Sequence, residues 1–197
     1  MTAASAFGHL AIPTKEVLAL GKEARIQFLK KEWWIPYDAA RSIEADLQNI
    51  LRGPRIARAE CRMIVSASNN GKSALAARIH RKNPARYDEA SGTTSIPVIY
   101  IPVLADPSPE GLHSEILRLV QVPGRPSDKL KQIRTRSYYQ IESLDVRMLI
   151  LDEFNVIKSL PAAKLREFLT ELRTLSVHER LSIVLFTSKE GLTATQF

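Results

Sequence analysis

Eight consecutive residues, Ser66-Ala67-Ser68-Asn69-Asn70-Gly71-Lys72-Ser73, carry the chemistry needed to hold a chain of phosphates. Small residues let successive backbone N–H groups turn inward, and the helix start that follows adds its positive end. Gly71 allows the backbone to pass close to a ligand. Lys72 supplies a point charge for β- and γ-phosphates, and the Ser73 hydroxyl suits Mg²⁺. The stretch follows the Walker A pattern G-x-x-x-x-G-K-[ST] except at its first position, where Ser66 stands in place of glycine. If that position takes a positive φ, serine costs about 1 kcal/mol there. Asn69 and Asn70 tolerate left-handed backbone better than most residues. The expected nucleotide-binding set is therefore Ser66 to Ser73 with Ala74. A chance G-K-S at a helix start is the plain alternative.

A second constellation is Met148-Leu-Ile-Leu-Asp152-Glu153, an apolar run that ends on two carboxylates. Ligands of open α/β sheets sit beyond the carboxyl ends of the strands. Asp152 in that place would hold Mg²⁺ through water, the Walker B role, and Glu153 would position and polarise an attacking water. The plain alternative is a strand that leaves the core on two solvated acids. Phe186-Thr187-Ser188 closes another apolar run. If its strand neighbours that of Asp152, a polar side chain there reaches the γ-phosphate or the water. Thr187 is the first choice and Ser188 the second, with ordinary turn residues as the alternative.

The elements that must position these groups follow from apolar spacing and punctuation. Residues 14–31 suit a helix capped by Thr14, although Gly21 weakens it. Trp33-Trp34-Ile35-Pro36-Tyr37 should be extended. Asp38 caps a helix with Ala40, Ile43, Leu47, Ile50 and Leu51 on one face, and Gly53-Pro54 ends it. Arg62–Val65 reads as a short buried strand, residues 72–82 as a helix and residues 83–95 as a polar loop. Ile96–Ile101 reads as a strand. Ser108-Pro109 opens a helix whose core face is Leu112, Ile116, Leu119 and Val120. Ser127 can cap a further, basic helix. Val146–Leu151 is a strand, Pro161 opens a helix with Leu165, Phe168, Leu169 and Leu172 on one face, and Leu181–Phe186 is the last strand. Strands alternating with helices imply an α/β fold with a largely parallel sheet covered on both faces.

Composition sets the wider limits. The chain of 197 residues is 45% hydrophobic, enough for an ordinary core in one domain with an extension. Its 28 basic residues exceed its 21 acids, for a net charge of +7. Arg52–Arg58, Arg78–Lys82 and Arg125–Arg136 concentrate that excess. Polyphosphate or nucleic acid suits such surfaces, and solvated helix faces are the plain alternative. A single cysteine, Cys61, excludes a disulfide framework or a cysteine metal site within the chain. Its place before an apolar strand suggests a small buried residue in a reducing compartment. The N-terminus does not read as a signal peptide, and no apolar run is long enough for a bilayer. A cytoplasmic protein without membrane contact is the expectation.

S-N-N-G-K-S, the R-M-L-I-L-D-E-F strand, and R-E-F-L-T-E-L-R-T-L-S before an apolar strand together resemble the TniB/TnsC family of AAA+ ATPases, which accompany DNA transposases. The resemblance covers roughly residues 25–188. It implies a three-layer P-loop NTPase (AAA+) core over residues 38–197, preceded by a helical extension over residues 1–37. The segment Trp34-Ile35-Pro36-Tyr37 looks like the family's adenine-side segment, which makes Ile35 and Tyr37 candidate nucleotide contacts. ATP and Mg²⁺ are the implied cofactors. Lys72, Glu153 and Thr187 are the implied catalytic residues, and Ser73 and Asp152 the implied metal ligands. The implied activity is an ATPase that regulates transposition, binds target DNA largely without sequence specificity, recruits a transposase and assembles into oligomers or filaments. Lys129, Lys131 and Arg134 are candidates for the DNA-facing surface. A neighbour's arginine, from among Arg134, Arg136, Arg173 and Arg180, would complete the site.

The sequence departs from the family at Ser66, at Asn155, where histidine is common, and at its end. Phe197 falls short of the family's fifth core strand and helical lid, so the lid is expected to be absent. A nucleotide-binding module that does not hydrolyse is therefore the second reading. Another AAA+ relative, of the replication-initiator or signalling type, is the third, and it calls for an appended domain.

Overall fold

The computed structural model describes residues 12–31, 34–56, 58–125 and 128–189. It divides into two units, before and after the Pro36–Tyr37 boundary. Trp33, Ser127 and the residues after Lys189 lie outside the described residues. None of the described helices is long and apolar enough to cross a membrane.

The first unit holds two short helices, α1 (Ile12–Leu18) and α2 (Lys22–Leu29), where the sequence pattern suggests one. Thr14 lies inside α1 rather than at its cap. The chain closes α1 with Ala19 N–H to Glu16 O and Leu20 N–H to Val17 O, then extends at Gly21 (φ −62°, ψ 164°). No residue of α2 is buried. Without an apolar face to pack, a helix depends on propensity alone, and one glycine suffices to interrupt it.

The second unit begins with α3 (Asp38–Arg52), whose cap position is Tyr37 rather than Asp38. Ala40, Leu47 and Leu51 form its buried stripe. β1 (Arg62–Val65) follows, then α4 (Lys72–Lys82). Residues 83–95 are not simply a loop. They hold an antiparallel hairpin, β2 (Arg86–Asp88) with β3 (Thr93–Ser95). Its turn is organised by Asp88, which accepts hydrogen bonds from Ala90 N and Ser91 Oγ, with Gly92 at φ +65°. A hairpin three residues long with almost no buried side chain leaves no apolar alternation to read. β4 (Val98–Ile101), α5 (Pro109–Leu119), α6 (Leu130–Ser143) and β5 (Met148–Leu151) come next. A 3-10 helix (Phe154–Ser159), α7 (Ala162–His178) and β6 (Ser182–Thr187) complete the unit. Ser108 caps α5 as expected, accepting a hydrogen bond from Gly111 N.

The four main strands are parallel in the order β1-β6-β5-β4. The last strand is therefore inserted between the phosphate-loop strand and the acidic strand. This order puts β1 at the sheet edge, so β1 is half-buried rather than buried. Cys61, just before it, is exposed for the same reason, contrary to the expected burial. Alternate residues of each strand face opposite ways. Ile99, Ile101, Leu149, Leu151 and Ile183 pack with Leu112, Ile116, Ile141, Phe168 and Leu172 of α5, α6 and α7. Val98, Met148, Ile150 and Val184 turn the other way, and α4 packs against β4 and β6 with α3 beside it.

A buried polar cluster joins α5, α6 and α7. His113 is fully buried, and so is Ser137. Ser137 Oγ lies 3.0 Å from His113 Nδ1, and Glu171 Oε1 lies 2.8 Å from His113 Nε2. Arg134 donates to Glu171 Oε2 at 2.6 Å and the Tyr138 hydroxyl donates to Oε1 at 3.2 Å. Burial holds the His113 imidazole below its ordinary pKa despite the adjoining carboxylate. Burial works to raise Glu171, but hydrogen bonds from His113 and Arg134 outweigh it and the carboxyl ends below its ordinary range. Burial beside Glu171 pushes Tyr138 up to about 12. The consistent state is neutral His113 donating from Nε2, with Ser137 donating to Nδ1.

Candidate nucleotide-binding site

The phosphate loop sits at the carboxyl end of β1, where the chain leaves the sheet and enters α4. Ser66 N–H bonds to Thr187 O at 3.3 Å, continuing the β1–β6 ladder one step beyond the strands. The loop then turns through two left-handed residues, Asn69 (φ 63°) and Gly71 (φ 73°). Ser66 is not among the residues with positive φ. The strain expected of serine at that position does not arise, because the left-handed turns fall on Asn69 and Gly71. Tyr37 donates its hydroxyl to Asn70 O at 2.8 Å and so braces the loop from the α3 side. Ile35 belongs to the first unit and is largely exposed.

Lys72 Nζ lies over the loop, donating to Ser66 O at 3.2 Å and Ala67 O at 2.9 Å. Its ammonium is thereby held inside the ring of loop backbone. A cleft of about 550 Å³ opens beside it, lined by Ser68, Asn69, Gly71, Lys72, Ser73, Ala74, Glu153, Asn155 and Ser188. The loop, the acidic strand end and the end of β6 thus share one cleft. This follows from register: Val65 pairs with Thr187, and Leu151 with Leu185. β1 thus ends level with Thr187, and β5 stops two residues earlier, so Asp152 and Glu153 continue from it toward the same end of the sheet.

Asp152 is nearly buried at the end of β5 and has both carboxylate oxygens engaged. Oδ1 accepts from Glu153 N at 2.8 Å and Oδ2 from the Tyr100 hydroxyl at 3.2 Å. Burial, then the Asp152 charge, pushes Tyr100 up to about 12, so the phenol stays a donor. Glu153 is exposed, with a left-handed backbone (φ 48°, ψ 40°), and precedes the 3-10 helix. Asn155 Nδ2 donates to Glu153 Oε2 at 2.9 Å. Thr187, buried, donates from Oγ1 to Asn155 Oδ1 at 3.2 Å, and Ser188 N donates to the same oxygen at 3.1 Å.

Hard oxygen donors on Ser73 and Asp152 fit Mg²⁺, which keeps most of its waters and takes one or two protein ligands. Carboxylate oxygens already oriented by Tyr100 and the Glu153 amide suit contact through such waters. Tyr100 and Asn155 are site residues that spacing did not single out. Tyr100 is the only polar side chain in Val98–Ile101, and Asn155 follows Glu153 by two positions. Those are the faint signals each leaves in the sequence.

The basic residues separate into two kinds. Lys129 and Lys131, at the start of α6, are exposed. Arg134 is tied to Glu171, and Arg136 to Asp128 and Pro123 O. Arg173 and Arg180 are exposed.

The fold is that of AAA+ P-loop ATPases. The ORC1 protein of Aeropyrum pernix, solved in complex with DNA, superposes with a TM-score of 0.59 at 18% identity, over 81% of this chain and 41% of that one. The ADP form of the Aeropyrum pernix ORC2 protein gives 0.58 at 20% identity, over 83% and 46%. The Cdc6p protein of Pyrobaculum aerophilum gives 0.50 at 14% identity, over 84% and 43%. The chain spans less than half of each of these structures. No curated protein matches the sequence. A family model for the bacterial TniB protein matches residues 25–197, most of the chain. The chain belongs to the TniB family.

Proposed function

We propose that the protein binds Mg-ATP in the cleft at the carboxyl end of the sheet, hydrolyses it, and uses the cycle to regulate DNA transposition. The observation that carries this reading is the convergence of three separate strand ends. The phosphate loop follows β1, Asp152 and Glu153 follow β5, and Thr187 ends β6 between them. Glu153 and Ser188 line the cleft with the loop, while Asp152 and Thr187 are buried next to them in the chain. In this reading the loop amides and Lys72 bind the phosphates. Ser73 and Asp152 hold Mg²⁺, which would neutralise charge on the β- and γ-phosphates. Glu153 orients a water and takes its proton, and the Thr187 hydroxyl donates toward the γ-phosphate. The ordinary backbone at Ser66 removes one of the two grounds for the reading of a site that only binds.

The test is turnover by purified protein with and without duplex DNA. Wild type is expected to release phosphate, and Glu153→Gln to lose at least about 100-fold in kcat while still binding ATP. A phosphate-release rate that Glu153→Gln leaves unchanged rules out catalysis by this site.

For partners, the reading is target DNA, a transposase and further copies of the chain. Lys129 and Lys131 support DNA contact, being exposed cations at the start of one helix. The family and the DNA-bound ORC1 structure point the same way. Because Arg134 is held by Glu171, the two lysines carry this proposal. Charge reversal to Lys129→Glu/Lys131→Glu should weaken DNA binding and lower the slope of log K against log salt by about 2. An unchanged slope removes these residues from the interface.

A further inference from the structure

Asn155 occupies an unusual position among the groups of the cleft. Its amide nitrogen donates to Glu153 Oε2 at 2.9 Å. Its amide oxygen accepts from Thr187 Oγ1 at 3.2 Å and from Ser188 N at 3.1 Å. One side chain therefore spans from the end of β5 to the end of β6. Its own backbone is fixed by the 3-10 helix, in which Phe154 and Ile157 are buried on either side of it. Phe154 also stacks on Phe168 of α7, with ring centroids 6.2 Å apart. Glu153, by contrast, is exposed and left-handed (φ 48°, ψ 40°), a backbone state that disfavours non-glycine residues. An exposed carboxylate on such a turn has several staggered rotamers open to it. The Asn155 amide selects one.

The chemistry of the bridge is directional. An amide nitrogen only donates and an amide oxygen only accepts. The carboxylate must therefore face the nitrogen, and the β6 donors must face the oxygen. Thr187 has one hydroxyl hydrogen, for which Asn155 Oδ1 at 3.2 Å competes with Ser188 O at 3.4 Å. A phosphate oxygen that takes that hydrogen leaves Asn155 Oδ1 with Ser188 N alone, and loosens the hold on Glu153. We infer that Asn155 is a positioning residue that orients Glu153 and couples it to the state of Thr187 at the end of β6. This rests on the reading of Glu153 as the group that handles the water.

The experiment uses the full chain and three variants. Asn155→Ala removes both halves of the bridge. Asn155→Asp keeps the acceptor but replaces the donor to Glu153 by a like charge. Asn155→His keeps one donor and one acceptor on its two ring nitrogens. The Ala and Asp variants should lose about 10- to 100-fold in kcat, with KM for ATP within about twofold of wild type. Asn155→His should recover most of the loss. A kcat unchanged in Asn155→Ala, or equal losses in the Ala and His variants, overturns the inference.

A second readout does not need turnover. The Asn155 side-chain amide signals in a proton–nitrogen correlation spectrum should move in Glu153→Gln and in Thr187→Ala. They should move again when a slowly hydrolysed ATP analogue is added to wild type. Signals that ignore both substitutions overturn the inference even if the protein hydrolyses ATP. A wild type that binds no nucleotide defeats the proposed function instead, and the response to the two substitutions still decides whether the bridge exists.

Discussion

Lys72→Ala should weaken ATP binding by about 100-fold or more, equivalent to about 2.7 kcal/mol, with the fold intact. Charge-assisted hydrogen bonds to phosphate are the strong ones, and Lys72 is the cation that the loop itself holds in place. Among the described residues its ammonium bonds to Ser66 O and Ala67 O, from a side chain that is half-buried. Those carbonyls can turn to water once the lysine is gone, so little stability is lost. Titration with a fluorescent ATP analogue measures the first effect, and thermal unfolding without nucleotide measures the second. A Kd within threefold of wild type would mean that the cleft does not use Lys72 for phosphate.

Glu171→Ala should be the most damaging substitution on the far side of the sheet, costing about 3–5 kcal/mol. It removes the one acceptor that His113, Arg134 and Tyr138 share, and leaves the fully buried His113 Nε2 without it, while the part-exposed Arg134 and Tyr138 can turn to water. The same cluster sets an acid limit. Burial depresses the His113 pKa in the folded state, so below about pH 6.5 the unfolded chain binds more protons than the folded one. Stability should fall as pH drops from about 6.5 toward the folded-state value. Glu171, also depressed, adds a loss at lower pH, below its ordinary range. Urea unfolding at pH 7.5 and pH 5.5 measures the first limb. A His113→Asn variant, less stable overall, should show a flatter change between those two pH values. If wild type is as stable at pH 5.5 as at pH 7.5, the imidazole is not held neutral.

The two halves of the molecule differ in how legible they were. Ser108-Pro109, the α7 stripe of Leu165, Phe168 and Leu172, and the apolar run into Asp152 are local signals, and each led to the element expected. The residues before Tyr37 carry no stripe, and a single helix was expected where two short ones stand. Residues 83–95 misled for the opposite reason, since a tiny hairpin held by Asp88, Ser91 and Gly92 looks polar from end to end. The apolar strand after Cys61 predicts burial, while its exposure depends on which strand lies at the sheet edge. The glycine that Ser66 replaces predicts strain, while the strain depends on a positive φ that the loop assigns to Asn69 and Gly71 instead.

The phosphate loop itself, S-A-S-N-N-G-K-S between a strand and a helix, was determined by the sequence alone, because every group that defines it is a near neighbour in the chain. So were the two carboxylates at a strand end. That these form one cleft was decided only by tertiary structure. The β1-β6-β5-β4 order sets the end of β6 between the two motifs, and hydrogen bonds across 52 and 32 positions place Tyr100 on Asp152 and Thr187 on Asn155. Apolar periodicity reports which face of an element is buried. It carries no information about which strand lies beside which, and that adjacency brings Asn155 to Glu153 and β6 together.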